Sequence, residues 1–239
     1  MLITTKCIVL SKIKYKDNDL IVKCYTENLG IVSFLLRHVL KSKKGSTKIA
    51  YFQPLSLLQL VIQSKENRSL QIIKETKSTA LYSTLHTDVF KSSIVMFLTE
   101  VLSSALREEE QNQILYTYLE TSLLWLDANS EYSNFHLLFL LKLTKYLGFY
   151  PDTSNNNRDY FDLLNGKFVA KSENIYTISG DNLLLLKQLL GTTFDALNMV
   201  KINAKQRQSF LNMILRYFEL HLGNFKPPKS LQVLNQVFS

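Results

Sequence analysis

The chain has 239 residues, 46% hydrophobic and 20% charged, which suits one large folded core or two modest ones and excludes a globally disordered chain. No apolar run approaches the roughly 20 residues of a membrane span, and residues 1–10 lack a signal-peptide pattern, so a cytoplasmic location is expected. The net charge of +8 is uneven: residues 1–80 hold 14 Lys and Arg against 5 Asp and Glu, and residues 81–239 hold 14 against 15.

Three strands are predicted first, at residues 4–14, 19–26 and 30–37, each rich in Ile, Val and Leu. Lys16-Asp17-Asn18-Asp19 and Glu27-Asn28-Leu29-Gly30 between them read as turns, the second with glycine where a positive φ is expected. Connections this short imply an antiparallel meander. Residues 41–48 have no large apolar side chain and read as an exposed loop. Two more strands, at 55–63 and 69–76, flank a polar turn. Five strands in about 75 residues fit a small Greek-key barrel. The two cysteines, Cys7 and Cys24, read as small apolar residues on adjacent strands rather than as a disulfide.

After Ser78 the apolar period changes from 2 to 3.6. Val89, Phe90, Ile94, Phe97, Leu98, Val101 and Leu102 form a helical stripe over 88–106. Helices at 111–126 and 133–147 follow, the latter stopped by Gly148 with Pro151 behind it. The glutamates at 108–110 end one helix or start the next. Residues 150–180 break the pattern, with a hairpin expected over 161–169 around Asn165-Gly166. Helix resumes at 181–190 and again over 204–222, where Asn203 and Gln206 match a capping box. Gly223 and Lys226-Pro227-Pro228-Lys229 predict an extended tail. The expected organisation is a basic, all-β domain over 1–80 and a mainly α-helical domain over 81–239, with a non-helical insert at about 150–180.

Catalytic patterns are missing. Seven glycines form no phosphate-binding loop, and His38, His86, His136 and His221 are far apart in sequence. No cysteine follows Cys24, so neither a structural zinc site nor any other cofactor is expected. Asp17, Asp19 and Glu27 could be imagined as the metal ligands of a nuclease, but aspartates flanking Asn18 read better as turn residues that bond the backbone. The expected protein is not an enzyme.

The basic third carries the functional signal. Arg37, Lys41, Lys43, Lys44 and Lys48 lie in or beside one loop, and Lys12, Lys14, Lys16 and Lys23 lie on the neighbouring strands and turn. A surplus of this size exceeds what solubility needs and points to a polyanion, with these nine residues as the candidate contacts. Tyr15, Tyr25, Phe34, Tyr51 and Phe52 are interleaved with them. Small barrels bind single strands by backbone charge plus base stacking, although a barrel also needs large side chains inside, and filling is the first reading of these aromatics. An acidic protein surface is the alternative partner, which would make the chain a non-catalytic adaptor.

Specific residues then carry a resemblance. Asp17-Asn18-Asp19-Leu20-Ile21, Thr26-Glu27-Asn28-Leu29-Gly30 and the basic loop at 41–46 resemble the N-terminal signature of the RecO family of bacterial recombination mediators. Leu147-Gly148-Phe149-Tyr150-Pro151 is similar to that family's L-G-Y/F-x-P segment, and His221-Leu222-Gly223 with Lys229-Ser230-Leu231 to its closing H-L-G … K-S-L pattern. The blocks keep the family's order along nearly the whole chain. The resemblance implies an N-terminal OB-fold and a C-terminal helical domain. It implies binding of single- and double-stranded DNA and annealing of complementary strands. It also implies two partners, RecR and the single-stranded-DNA-binding protein, and loading of RecA onto coated strands. That binding protein has an acidic, apolar C-terminal tail, expected to dock on the helical domain, where Arg207 and Arg216 of the last long helix are candidate contacts. Two departures stand out. Many members carry four zinc-binding cysteines after the L-G-Y-x-P block, whereas residues 152–179 here have none and would be held by Tyr160, Phe161, Leu163, Phe168 and Tyr176. Arg37-His38 stands where the family often has a Lys-Gly pair.

Overall fold

Strands β1 (Leu2–Tyr15), β2 (Asp19–Thr26), β3 (Gly30–Leu36), β4 (Leu57–Gln63) and β5 (Leu70–Ser78) form in the computed structural model, which describes residues 1–41, 49–64, 68–106 and 111–238. They close a barrel in the order β1-β2-β3-β5-β4, with β3 and β5 parallel and the other pairs antiparallel. This is the five-stranded Greek-key closure of an OB-fold. The alternation of the strands sends Cys7, Val9, Leu20, Val22, Cys24, Phe34, Leu58, Leu60 and Ile62 inward, where all are buried. Cys7 and Cys24 lie on paired strands as free thiols, and burial, then the hydrogen bond with Cys24, pushes the Cys7 thiol well above its ordinary value.

β1 is long because it serves two neighbours in turn. Leu2–Ile8 pair with β4, and Cys7–Tyr15 pair with β2. Between Val9 and Ser11 the register slips at a bulge. Beyond it the alternation is inverted: Lys12 and Lys14 oppose the inward Val22 and Leu20, and Ile13 opposes the outward Ile21.

The barrel belongs to a compact unit, Met1–Asp127, that also includes the first two long helices, α1 (Val89–Ala105) and α2 (Gln113–Ala128). Strand thus gives way to helix between Ser78 and Val89, while the division into compact units falls after Asp127. Helix α1 lies against β1, where Ile8 and Leu10 are fully buried outside the barrel core. The Tyr25 ring stacks on Tyr116 of α2 at 6.4 Å and its hydroxyl donates to the Asn112 carbonyl at 3.1 Å. The connector is clamped by Asp127, whose carboxylate accepts the N–H groups of Ser83, Thr84 and Leu85 at 2.8–2.9 Å. Burial alone would raise that carboxyl; these backbone donors and the Thr84 hydroxyl outweigh it and hold it below the usual range. The buried Lys91 ammonium completes the clamp, donating to the Asp127 carbonyl and the Thr84 hydroxyl.

The second unit, Ala128–Ser239, contains α3 (Phe135–Tyr146), α4 (Gly180–Leu190), α5 (Ala204–His221) and α6 (Leu231–Val237). Helices α3, α4 and α5 contact one another, and α3 is buried all round from Phe135 to Leu141. The Asn203–Gln206 capping box at the start of α5 is formed as expected. The predicted extended tail is overturned in part: after the prolines the chain turns back into α6, led by Leu231 with Leu234 buried beneath.

The insert is a small sheet of β6 (Tyr160–Asp162), β7 (Lys167–Val169) and β8 (Thr177–Ile178), in the order β7-β6-β8. Its hairpin turns at Asn165-Gly166, Gly166 having a φ of 64°. Buried Asp162 ties the turn, accepting from the Leu164 N–H at 2.9 Å and the Asn165 amide at 2.6 Å. Beneath it Phe161 meets Phe168 at 4.9 Å and Tyr217 of α5 at 6.0 Å. Phe149 stacks on His221 at 5.1 Å, and the His221 Nε2 lies 2.9 Å from the Leu163 carbonyl. Phe161, Leu163 and Phe168 are buried, as expected of the residues holding this segment, whereas Tyr160 and Tyr176 are half-buried.

Candidate nucleic-acid interface

The outward side of β1, β2 and β3 presents three rows. Ser11, Lys23 and Ser33 align in the first, Ile13, Ile21 and Leu35 in the second, and Tyr15 opposes Asp19 in the third. Each residue reaches this face because antiparallel partners share a side of the sheet. Where α1 covers the outward side of β1 at Ile8 and Leu10, no exposure remains; farther along, Ile13 is 56% exposed and Tyr15 37%. Lys12, Lys14 and Lys16 are exposed around the same hairpin tip.

The structure therefore gathers Lys12, Lys14, Lys16 and Lys23 on one hairpin but not on one face. Lys12 and Lys14 take the core-facing side, beyond the part of β1 that pairs with β4; Lys23 takes the outward side; Lys16 sits in the turn with a φ of 54°. The Lys16 ammonium lies 5.5 Å from the centre of the Tyr15 ring. Arg37 and Lys41 are exposed just beyond β3. Lys43, Lys44 and Lys48 lie outside the described residues.

Asp19 has a structural task. Its Oδ1 accepts the His38 N–H at 2.8 Å, and His38 has a φ of 56°, a conformation that glycine adopts without strain. This agrees with the reading of Asp19 as a turn residue that bonds the backbone. Among the described residues no group of three or more His, Cys, Asp or Glu is placed to hold a metal. Of the five barrel aromatics, Phe34 and Phe52 fill the core and Tyr25 is buried on the outward side against Tyr116 of α2, while Tyr15 and Tyr51 are exposed.

In the second unit the two candidate arginines are separated. Nine residues turn an α-helix through about two and a half turns, so Arg207 and Arg216 leave α5 on opposite sides. Half-buried Arg207 donates to the Asn134 Oδ1 and the Phe238 carbonyl, each at 3.2 Å, and burial lowers its pKa. It lines a cavity of about 430 Å³ with Glu131, Asn134, Val200, Lys201 and Asn203. Exposed Arg216 pairs with Glu219 and lies 5.4 Å from the Tyr176 ring. Both lie on one helix, as the sequence predicts, but the nine-residue spacing keeps them from sharing a face.

A closed OB-fold barrel with an uncovered, lysine-flanked outer face defines a protein of the OB-fold class, whose strands β2 and β3 and their turns form the customary ligand surface. The family model described as "Recombination protein O N terminal" matches residues 1–82, and "Recombination protein O C terminal" matches residues 86–232. The chain is 48% identical over 238 residues to the DNA repair protein RecO of Christiangramia forsetii, 44% over 240 to that of Flavobacterium johnsoniae and 40% over 242 to that of Bacteroides fragilis, covering all of each chain. The chain belongs to the RecO family of DNA repair proteins. The four-cysteine zinc site of some members does not fit it: both cysteines are in the barrel, and the insert has an apolar centre of Phe161, Leu163 and Phe168. No helix among the described residues is long and apolar enough to cross a membrane.

Proposed function

We propose that the protein is a non-catalytic DNA repair and recombination mediator that holds single- and double-stranded DNA on its barrel and anneals complementary strands. With RecR, it helps to load RecA onto strands coated by the single-stranded-DNA-binding protein. The observation that carries this reading is the uncovered hairpin of β1 and β2, with exposed Lys12, Lys14 and Lys16 at its tip, in a chain of the RecO family. Lysines that neutralise phosphates of two strands at once reduce their mutual repulsion, which promotes annealing without a reacting group. The second unit takes the acidic tail of the single-stranded-DNA-binding protein, and the cavity beside Arg207 and Lys201 is its supporting feature. A cytoplasmic, nucleoid-associated site of action goes with this reading.

The test is binding and annealing at several salt concentrations. Changing Lys12, Lys14, Lys16 and Lys23 together to Ala should weaken single-strand binding and flatten the salt dependence by about 0.7 log unit for each phosphate no longer neutralised. Changing Lys41, Lys43 and Lys44 to Glu measures the loop separately. Unaltered affinity and salt slope in both variants would remove the barrel from DNA binding. Annealing of strands coated by the cognate binding protein, with and without its tail, tests the second unit.

A further inference from the structure

We infer that Tyr15 is the residue that tells single strands from duplex, by stacking on an unpaired base at the tip of the β1–β2 hairpin. This deepens the DNA-binding reading and rests on it. The whole barrel segment, residues 1–80, contains five Phe and Tyr side chains and no Trp. Tyr25, Phe34 and Phe52 are 2% exposed or less, which leaves no ring face for a ligand. Tyr51 follows β3 in the chain and lines a cavity with Ala50, Gln53 and Tyr82, away from the sheet rows. Tyr15 combines exposure with a place in an outward row, next to Ile13 along the strand and past the reach of β4.

Its surroundings suit a nucleotide. Exposed Lys14 and Lys16 flank it in the chain, and the Lys16 ammonium is already within 5.5 Å of the ring centre. A base laid on the ring would bring its phosphate within reach of these ammonium groups. The nearest carboxylate in register, Asp19, is turned to the His38 N–H. Asp17 in the turn is the other acid at the tip, against Lys12, Lys14 and Lys16. The remaining outward residues, Ile13, Ile21 and Leu35, are aliphatic. They give a base area to lie on but no π face. The site therefore offers one stacking position among many charged groups. Duplex DNA, whose bases are already stacked, engages the charges alone.

The experiment compares full-length wild type, Tyr15→Leu and Tyr15→Phe on an oligothymidine, an abasic strand of the same length and a duplex. Tyr15→Leu keeps the apolar bulk and removes the ring. It should weaken oligothymidine binding about tenfold, the ordinary value of one stacked base, and leave duplex binding within twofold. Tyr15→Phe should bind as wild type does. The abasic strand should bind wild type about as weakly as oligothymidine binds Tyr15→Leu. Unchanged oligothymidine affinity in Tyr15→Leu, or equal losses on single strand and duplex, overturns the stacking role while leaving the DNA reading intact. Wild type that binds none of the three ligands overturns the DNA reading, and this inference with it.

Discussion

His136 shows how one buried side chain couples the fold to pH. It is 1% exposed in α3 and lies 5.6 Å from the Phe238 ring. Burial, and then the Arg207 charge, push its imidazole down to about 3. In the unfolded chain the ring takes up a proton near its ordinary value of about 6.5. Below that pH the unfolded state binds a proton that the folded state refuses. The stability tied to the neutral ring is therefore whole above about pH 6.5 and is lost as the pH falls toward 3. Urea unfolding across this window should show wild type losing up to about 1.4 kcal/mol per pH unit more than His136→Leu. Parallel curves for the two proteins would contradict this.

At the scale of elements, the insert is held by the packing of its apolar side chains. Phe161 is buried between Phe168 and Tyr217, and the Tyr217 hydroxyl donates to the Phe149 carbonyl at 2.8 Å. Gly166 is the close approach: a Cβ there would lie 2.7 Å from the Tyr217 hydroxyl. Phe161→Ala should cost about 3–5 kcal/mol, as for other buried phenylalanines, whereas a chelator should leave the thermal midpoint of wild type unchanged. A midpoint that fell with chelator would reinstate a metal. These elements were unevenly legible. Asp19–Thr26 was read with the observed bounds, and the stripe from Val89 to Leu102 located α1, because burial on one face writes a strong period. The residues of β8 and α6 were not read as strand or helix. β8 has two residues and α6 seven, too few to show a period, and both depend on contacts made by distant parts of the chain. The site was legible as charge but not as faces, since the bulge in β1 adds a residue without any glycine or proline to mark it.

At the scale of the whole molecule, the change of element type and the division into units fall at different places. Helices α1 and α2 share the first unit with the barrel, and Ile8, Leu10 and Tyr25 are buried outside the barrel core. Burying an aliphatic side chain of this size is worth about 1.5–3 kcal/mol, so several such residues left bare exceed what a small barrel can spare. A fragment of residues 1–128 should therefore be soluble with a cooperative thermal transition, and one of residues 1–82 should not. Equal behaviour of the two fragments, by scattering and calorimetry, would show that the barrel does not need its helices.

The bulge at Leu10 takes up one extra residue, which shows only as a change of parity in the numbering. Upstream of it, odd-numbered residues face the core; downstream, even-numbered ones take that side. Leu10 is the extra residue between the Val9–Cys24 and Ser11–Lys23 pairs. Removing it would join those pairs into an unbroken ladder, with Ile13 and Tyr15 still outward and Lys12 and Lys14 still on the core-facing side. The display at the hairpin tip is therefore buffered against a change of length at this point: the bulge can come or go while the ring and the charges keep their own sides.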